Sequence, residues 1–363
     1  MSTKPRIYLD FNATAPLVAE ARAAMVQALA VTGNPSSIHS EGRAARDLVE
    51  RARAQVAALL GRPREDLVFT SGGTEANALG VLGLAALVER RGGPRVVATT
   101  PLEHPSLRGP IATLAARGWE VRMLPAPLTG VGLLAVAAVN HELGTIFDPD
   151  TYDAARAAGA LVHIDAVQAA GKLALASLPG DAIAISAHKH GGPQGAGALA
   201  TALDLAPPGD AGHQERGRRA GTENTLGIVG FGAAAAVADP ARWPAVAALG
   251  DRLEVAIRSL PDARIHGADR PRVGGTINAG FTGALGESVV IALDLAGVAV
   301  STGAACTSGS VQPSPVLLGM GLAPERAREG VRFSLGTATT NAEIDRVVLL
   351  LPPIVARARA HRG

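Results

Sequence analysis

Two neighbouring stretches decide how this chain is read: Ala160-Leu161-Val162-His163-Ile164-Asp165-Ala166-Val167-Gln168 and Ala182-Ile183-Ala184-Ile185-Ser186-Ala187-His188-Lys189. Each opens with a short apolar run that lacks polar alternation, the pattern of a strand buried on both faces. Each then ends on a charged side chain, a carboxylate in the first and an amine in the second. Further runs of the same kind occur at Leu67-Val68-Phe69-Thr70, Arg95-Val96-Val97-Ala98-Thr99 and Ala135-Val136-Ala137-Ala138-Val139. Between them, Ala, Leu, Val and Arg recur at three and four spacing over residues 17–31, 42–60, 75–90, 106–117 and 151–159, which predicts helices. Strands that alternate with helices imply an α/β fold with a mostly parallel sheet. Ligands of such sheets bind beyond the carboxyl ends of the strands, where nearly every candidate functional residue falls.

The alternation weakens over Leu203 to Gly212, a Pro- and Gly-rich loop, and resumes with a helix over Thr225 to Ala238. From Trp243 onward the pattern is a helix, strands near Val273-Gly274-Gly275-Thr276-Ile277 and Val331-Arg332-Phe333-Ser334, and a closing helix from Asn341 to Arg359. The expected organisation is a large domain over 16–250 and a smaller α+β domain over 251–363 that also takes in residues 1–15.

Asp165 and Lys189 emerge side by side from adjacent strands. A lysine there can form a Schiff base, and an aspartate beside it can keep a pyridine nitrogen protonated, the two requirements of pyridoxal phosphate (PLP) chemistry. A structural ion pair at the sheet edge satisfies the same two residues. In Thr70-Ser71-Gly72-Gly73-Thr74-Glu75-Ala76-Asn77 a strand runs through two glycines into a helix. Backbone N–H groups and a hydroxyl at a helix amino terminus suit a phosphate, although an ordinary helix cap reads alike. The Gly-Lys-Ser/Thr of a nucleotide P-loop is missing. Glu103-His104 brings an imidazole to the same edge, suited to stacking or to acid/base work. His141-Glu142 meets threonine at 145 where a zinc protease needs its second histidine.

Cys306 is the only cysteine of 363 residues and sits in Ser301-Thr302-Gly303-Ala304-Ala305-Cys306-Thr307-Ser308-Gly309-Ser310, small and polar surroundings that present a thiol rather than pack it. One thiol excludes an intrachain disulfide and a Cys-rich metal site, which leaves a nucleophile, a redox thiol or a bystander. With 34 basic and 32 acidic side chains, the formal charge of +2 gives no reason to expect a nucleic acid or an anionic membrane as partner. No apolar run approaches eighteen residues, and Met1 to Arg6 lacks an apolar stretch, so a cytoplasmic location is expected.

Taken together, these motifs resemble the cysteine desulfurases, fold type I PLP enzymes of the class V aminotransferase group, over nearly the whole length. The resemblance is carried by Tyr8-Leu9-Asp10 with Asn12-Ala13-Thr14, Gly33-Asn34-Pro35-Ser36-Ser37-Ile38-His39, Thr70 to Glu75, Glu103-His104-Pro105, Asp165 to Gln168, Ser186 to Lys189, Gln214-Glu215-Arg216-Gly217 with Gly221-Thr222, the Cys306 loop and Arg332-Phe333-Ser334-Leu335-Gly336. It implies a seven-stranded sheet and a homodimer. Lys189 would carry the cofactor and move substrate protons, Asp165 would pair with the pyridine nitrogen, Gln168 with the phenolic oxygen, and His104 would stack on the ring. Gly73, Thr74, Ser186 and His188 would hold the phosphate, and Thr222 would reach the phosphate of the neighbouring subunit. Asn34 and Arg332 would bind the carboxylate of L-cysteine. Cys306 would take the substrate sulfur as a persulfide, leave alanine, and hand the sulfur to an acceptor protein, for which iron-sulfur cluster assembly is the favoured destination.

The chain departs from the family pattern at several points. His141 replaces an amide beside the cofactor oxygen, Pro315 a histidine, and Ala15 a threonine; His190 and Gln194 alter the lysine loop, the stretch 124–138 is short and 200–212 diverges. A selenocysteine lyase, a class V aminotransferase and a non-catalytic scaffold are the alternatives, and Cys306 speaks against the aminotransferase. Ser186-Ala187-His188-Lys189 also fits the Ser-x-x-Lys of penicillin-recognising hydrolases, but their Ser-Asp-Asn and Lys-Thr-Gly are absent.

Overall fold

The computed structural model describes residues 6–205, 212–303 and 312–360. Strands and helices follow in the order β1 (Ile7–Tyr8), α1 (Ala19–Ala28), α2 (Ser40–Leu60), β2 (Leu67–Thr70), α3 (Gly73–Arg90), β3 (Val96–Thr99), α4 (Pro105–Ala116), β4 (Glu120–Met123), β5 (Leu133–Ala137), α5 (Pro149–Ala157), β6 (Leu161–Asp165), β7 (Ala182–Ser186), β8 (Gly197–Ala200) and α6 (Thr225–Val237). The remainder comprises α7 (Trp243–Arg258), β9 (Ala263–Ile265), β10 (Thr276–Phe281), α8 (Gly286–Leu295), β11 (Val298–Ala299), α9 (Pro315–Gly319), α10 (Pro324–Ala327), β12 (Gly330–Ser334) and α11 (Asn341–Ala360). Two compact units result, one built from residues 15–138 and 147–240, the other from residues 1–14, 139–146 and 241–363.

The first unit is a sheet of seven strands among the described residues, in the order β2-β8-β7-β6-β5-β3-β4. β7, β6, β5, β3 and β4 run parallel, and β8 lies antiparallel between β7 and β2. The fold is therefore the mostly parallel α/β architecture of fold type I. Pairing of Asp165 with Ala184 sends β6 and β7 out of the sheet on the same side. Val68, Leu84, Val97, Leu107, Leu133 and Leu199 form a dry core under α3 and α4. Burying each such side chain is worth roughly 1.5–3 kcal/mol.

β8 has no counterpart in the sequence reading. Gly-Ala-Leu-Ala lacks the β-branched residues that mark a strand, yet small residues are what this position demands. A Cβ on Gly197 would lie 2.5 Å from the carbonyl carbon of Gly72, in the loop that leads into α3. β4 likewise carries no apolar strand pattern in sequence, because its Glu-Val-Arg-Met lies at the sheet edge, half in solvent.

The second unit has an antiparallel sheet, β12-β10-β9, and a parallel pair, β1 with β11. Trp243, Leu253, Ile257, Phe281, Leu293, Phe333, Ile344 and Leu351 fill its core. The strand expected from Val273 begins only at Thr276. Gly274 and Gly275 have φ of 71° and 66°, a left-handed turn that no strand accommodates. Isolated bridges pair Asp10 with Ser334 and Ser301 with Arg332, which brings two loops onto the strand that carries this arginine.

Candidate active site

In the seven-strand unit, Asp165 is the last residue of β6 and is buried. Asn77 Nδ2 donates to its Oδ2 at 2.7 Å and the Val167 N–H to its Oδ1 at 2.9 Å. Burial pushes the carboxyl above its ordinary range, opposed by those two donors and by the charge of Lys189. Asn77 is wholly buried and links more than this pair: its Oδ1 accepts from His163 Nε2 at 2.9 Å, and its Nδ2 also donates to Ser106 Oγ at 2.9 Å. The Ser106 hydroxyl stands 2.8 Å from His104 Nδ1, which also accepts the Ser106 N–H at 3.1 Å. Burial holds His163 down to about 3, so it is a neutral Nε2–H donor and fixes the sense of the chain. One buried amide thus orients Asp165 and, through Ser106, leaves Nε2 as the protonated nitrogen of His104. Asn77 lies within a motif read above for its phosphate groups but received no role there. The available signal was a polar residue on the otherwise apolar face of α3.

Glu103 lies beneath the same edge. It accepts Thr100 Oγ1–H at 2.6 Å and the Ala137 N–H at 3.0 Å. Burial pushes it up to about 8, with the Asp165 charge adding to the rise and the two donors opposing it. Near both carboxyls, the hydroxyl of Tyr152 is buried with no partner among the described residues.

The amino terminus of α3 begins at Gly73, with no side-chain cap on its first N–H groups. Gly73 packs so closely that a Cβ would sit 2.7 Å from Val167 Cγ2 and 3.4 Å from Ser186 Cβ. Thr74 is exposed at this end of α3, while Ser186 is buried at the end of β7. His188 and Lys189 follow in one tight turn, Ala187–Lys189. Burial, then the Lys189 charge, lowers His188 to about 4. Gly73, Thr74, His104, Asp165, Gln168, Ser186, His188 and Lys189 accordingly sit at or beyond the carboxyl ends of β2, β3, β6 and β7.

Asn34 and Thr222 belong to this unit but to other loops. Asn34 is exposed ahead of α2, its Oδ1 accepting the Ser36 N–H at 2.9 Å. Thr222 is exposed before α6 and follows a strained turn in which Glu215 and Arg216 have φ of 47° and 59°. A buried pair enforces that turn: both terminal guanidinium nitrogens of Arg53 donate to the Glu215 carboxylate at 2.8 Å, and the Phe69 N–H donates to it at 2.9 Å. Arg219 then bridges at 2.9 Å to Glu75, in the first turn of α3.

Both ring nitrogens of His190, directly after Lys189, are buried without a hydrogen-bond partner among the described residues, and the ring lies 5.5 Å from that of Phe231. Burial, then His188, lowers it to about 4, and the Ser186 backbone only partly opposes the fall. Folded His190 therefore stays neutral while the unfolded chain takes up a proton below about 6.5, so its contribution to stability falls as the pH drops through that window. His190→Leu is expected to stabilise the protein by about 1–3 kcal/mol near pH 7. The gap over the native protein should widen by about 2 kcal/mol on going to about pH 5. Denaturant melts at the two pH values test this, and an unchanged gap would count against it.

In the second unit, Arg332 on β12 is nearly buried. One terminal nitrogen donates to Asp10 Oδ1 at 2.8 Å and the other to the His141 carbonyl at 3.1 Å, while Nε is buried with no partner among the described residues. A guanidinium with an unsatisfied donor is a place for an acceptor, and a carboxylate suits it. The His141 ring stands 3.7 Å from the carboxylate of buried Glu142, which also accepts the Ser314 hydroxyl at 2.6 Å. A Cβ on Gly303 would lie 2.5 Å from Glu142 Oε2. Cys306, expected to be the nucleophile, lies outside the described residues; the stems on either side of its segment converge on Glu142.

Among the described residues no group of His, Cys, Asp and Glu could hold a metal ion, and no helix is long and apolar enough to cross a membrane. The family model for class V aminotransferases matches residues 7–347. The chain is 40% identical to "Cysteine desulfurase 2" of Trichormus variabilis, over 98% of this chain and 94% of that one. It is also 40% identical to a cysteine desulfurase of Cereibacter sphaeroides, over 98% and 97%. Among solved structures, a NifS-like protein superposes with a TM-score of 0.86 at 28% identity, covering 97% of this chain and all of that one. A structure described as SspA in complex with cysteine gives 0.78 at 27% identity, over 92% and 100%.

Proposed function

The chain belongs to the class V aminotransferase family and is a PLP-dependent cysteine desulfurase, and from that premise we propose how its residues divide the work. The seven-strand unit fits the cofactor on its own geometry. A buried carboxylate already fixed by two donors suits a protonated pyridine nitrogen, an uncapped helix terminus beside Ser186 and His188 suits a phosphate, and an amine stands beyond the next strand. When bound, PLP draws electrons away from the substrate's α-carbon.

Lys189 holds the cofactor covalently and moves the α-proton. Asp165 faces the pyridine nitrogen and Gln168 the phenolic oxygen. His104 stacks on the ring with its proton on Nε2, the nitrogen that Ser106 leaves available. Gly73, Thr74, Ser186 and His188 hold the phosphate, with Thr222 supplied to it by the second subunit of a homodimer. His141 stands in for an amide beside the cofactor oxygen. Asn34 and Arg332 take the substrate carboxylate, and the orphaned Nε of Arg332 is the observation that most supports an anionic amino-acid substrate.

Cys306 as thiolate attacks the sulfur of L-cysteine; the carbon–sulfur bond breaks, its electron pair stays with the carbon fragment, and protonation there gives alanine. The persulfide left on Cys306 passes to an acceptor protein in the cytoplasm, with iron-sulfur cluster assembly as the favoured destination. Mass spectrometry after exposure to L-cysteine is the decisive experiment. A gain of one sulfur atom on the peptide carrying Cys306, removable by dithiothreitol, is expected. Alanine production with that peptide unmodified throughout turnover would remove the persulfide from the account.

A further inference from the structure

Gln168 is buried four residues before Lys172, and Lys172 Nζ reaches back to donate to Gln168 Oε1 at 2.9 Å. Both residues are over nine-tenths buried. The contact has a direction that an amide pair would lack. An ammonium has three donors and no acceptor, so only the amide oxygen can face it. The two ends of a glutamine amide are nearly the same shape, and packing alone seldom decides which way the group lies. Here a buried positive charge decides it, and the opposite edge of the amide must be the NH2 group.

We propose that Lys172 is a positioning residue whose ammonium locks the Gln168 amide with its NH2 donor toward the phenolic oxygen of PLP. This rests on the reading that Gln168 faces that oxygen. The lysine-linked chromophore holds one proton shared between the phenolic oxygen and the lysine nitrogen. A protein donor at the oxygen stabilises its anionic form and lowers the pH at which the proton leaves. A flipped amide would present its own oxygen instead, and the proton would be held to higher pH.

The test is the pH midpoint of the visible-band change in the loaded enzyme. Lys172→Met is expected to raise the midpoint by about half a unit to one unit, and Lys172→Arg, which keeps donor and charge, to leave it near the native value. Melting of the variants without cofactor checks that they fold. Gln168→Leu and the double variant separate the possible causes. Lys172→Met should have no further effect in the Gln168→Leu background, since the lysine acts through the amide. An unchanged midpoint in Lys172→Met, beside a raised one in Gln168→Leu, overturns the proposal. So does a lysine effect that persists without Gln168, which would mean a direct charge effect. If Gln168→Leu leaves the midpoint alone, the underlying placement of Gln168 is what fails.

Discussion

Replacing Lys189 with alanine is expected to lower the rate of alanine formation from L-cysteine at least about a thousandfold, a rise of roughly 4 kcal/mol in the barrier. The residue is asked for two tasks that no neighbour can take over: a covalent hold on the cofactor and a base beside the α-carbon. Its position is tightly specified. β7 ends at Ser186, the turn closes through bonds from His190 and Gly192 to the Ala187 carbonyl, and Gly191 follows at φ 92°. A Cβ at Gly191 would strike Val18 Cγ1 at 2.4 Å, so the loop has little room to bring a different group into place. The phosphate groups and Asp165 should keep cofactor in the variant, but borohydride should no longer fix it to the protein. The electrostatics give an independent check. Lys189 holds Asp165 down and contributes to the depression of His188, so both groups should titrate at higher pH once it is gone. Native turnover by Lys189→Ala, measured as alanine by chromatography, would refute the assignment at its root.

Much of this arrangement was legible because strand ends leave a strong imprint. β6 and β7 are buried on both faces, so Asp165 and Lys189 stand out as the first charges after apolar runs. The α3 terminus is legible for a similar reason, since two glycines between a strand and a helix have few uses. What stayed hidden is pairing between distant residues. Asn77 reads as one polar residue in an apolar helix, and only the fold brings His163, Asp165 and Ser106 to it. Arg53 and Glu215 are 162 residues apart, and although Glu215 falls in a quoted motif nothing in the sequence pairs it with Arg53; together they hold a strained turn ahead of Thr222. β8 stayed hidden for the opposite reason, because Gly197 must stay small against Gly72 and no β-branched residue follows it in the strand.

Cys306→Ala is expected to separate the two halves of the reaction. The cofactor and L-cysteine should still bind, since the residues proposed for those tasks are untouched, and the bound substrate should still perturb the visible spectrum. Alanine and sulfide formation should nevertheless fall at least about a hundredfold, roughly 3 kcal/mol, because water or an added thiol must replace an intramolecular nucleophile. The described stems on either side of the Cys306 segment are firmly anchored. Ser301 is bridged to the Arg332 backbone by hydrogen bonds of 3.1 and 2.6 Å, and Ser314 is tied to Glu142. Ser301 and Ser314 therefore tie both stems to the unit that carries Arg332, the arginine proposed for the substrate carboxylate. No such anchoring is needed for a redox thiol or a bystander, and either would leave turnover intact on substitution. A class V aminotransferase would also be indifferent to it. The comparison with Arg332→Ala sharpens the point: that variant should raise KM for L-cysteine and spare persulfide chemistry at saturation, whereas Cys306→Ala should lower kcat and spare binding. Equal sulfide release by native protein and Cys306→Ala would place the sulfur transfer elsewhere.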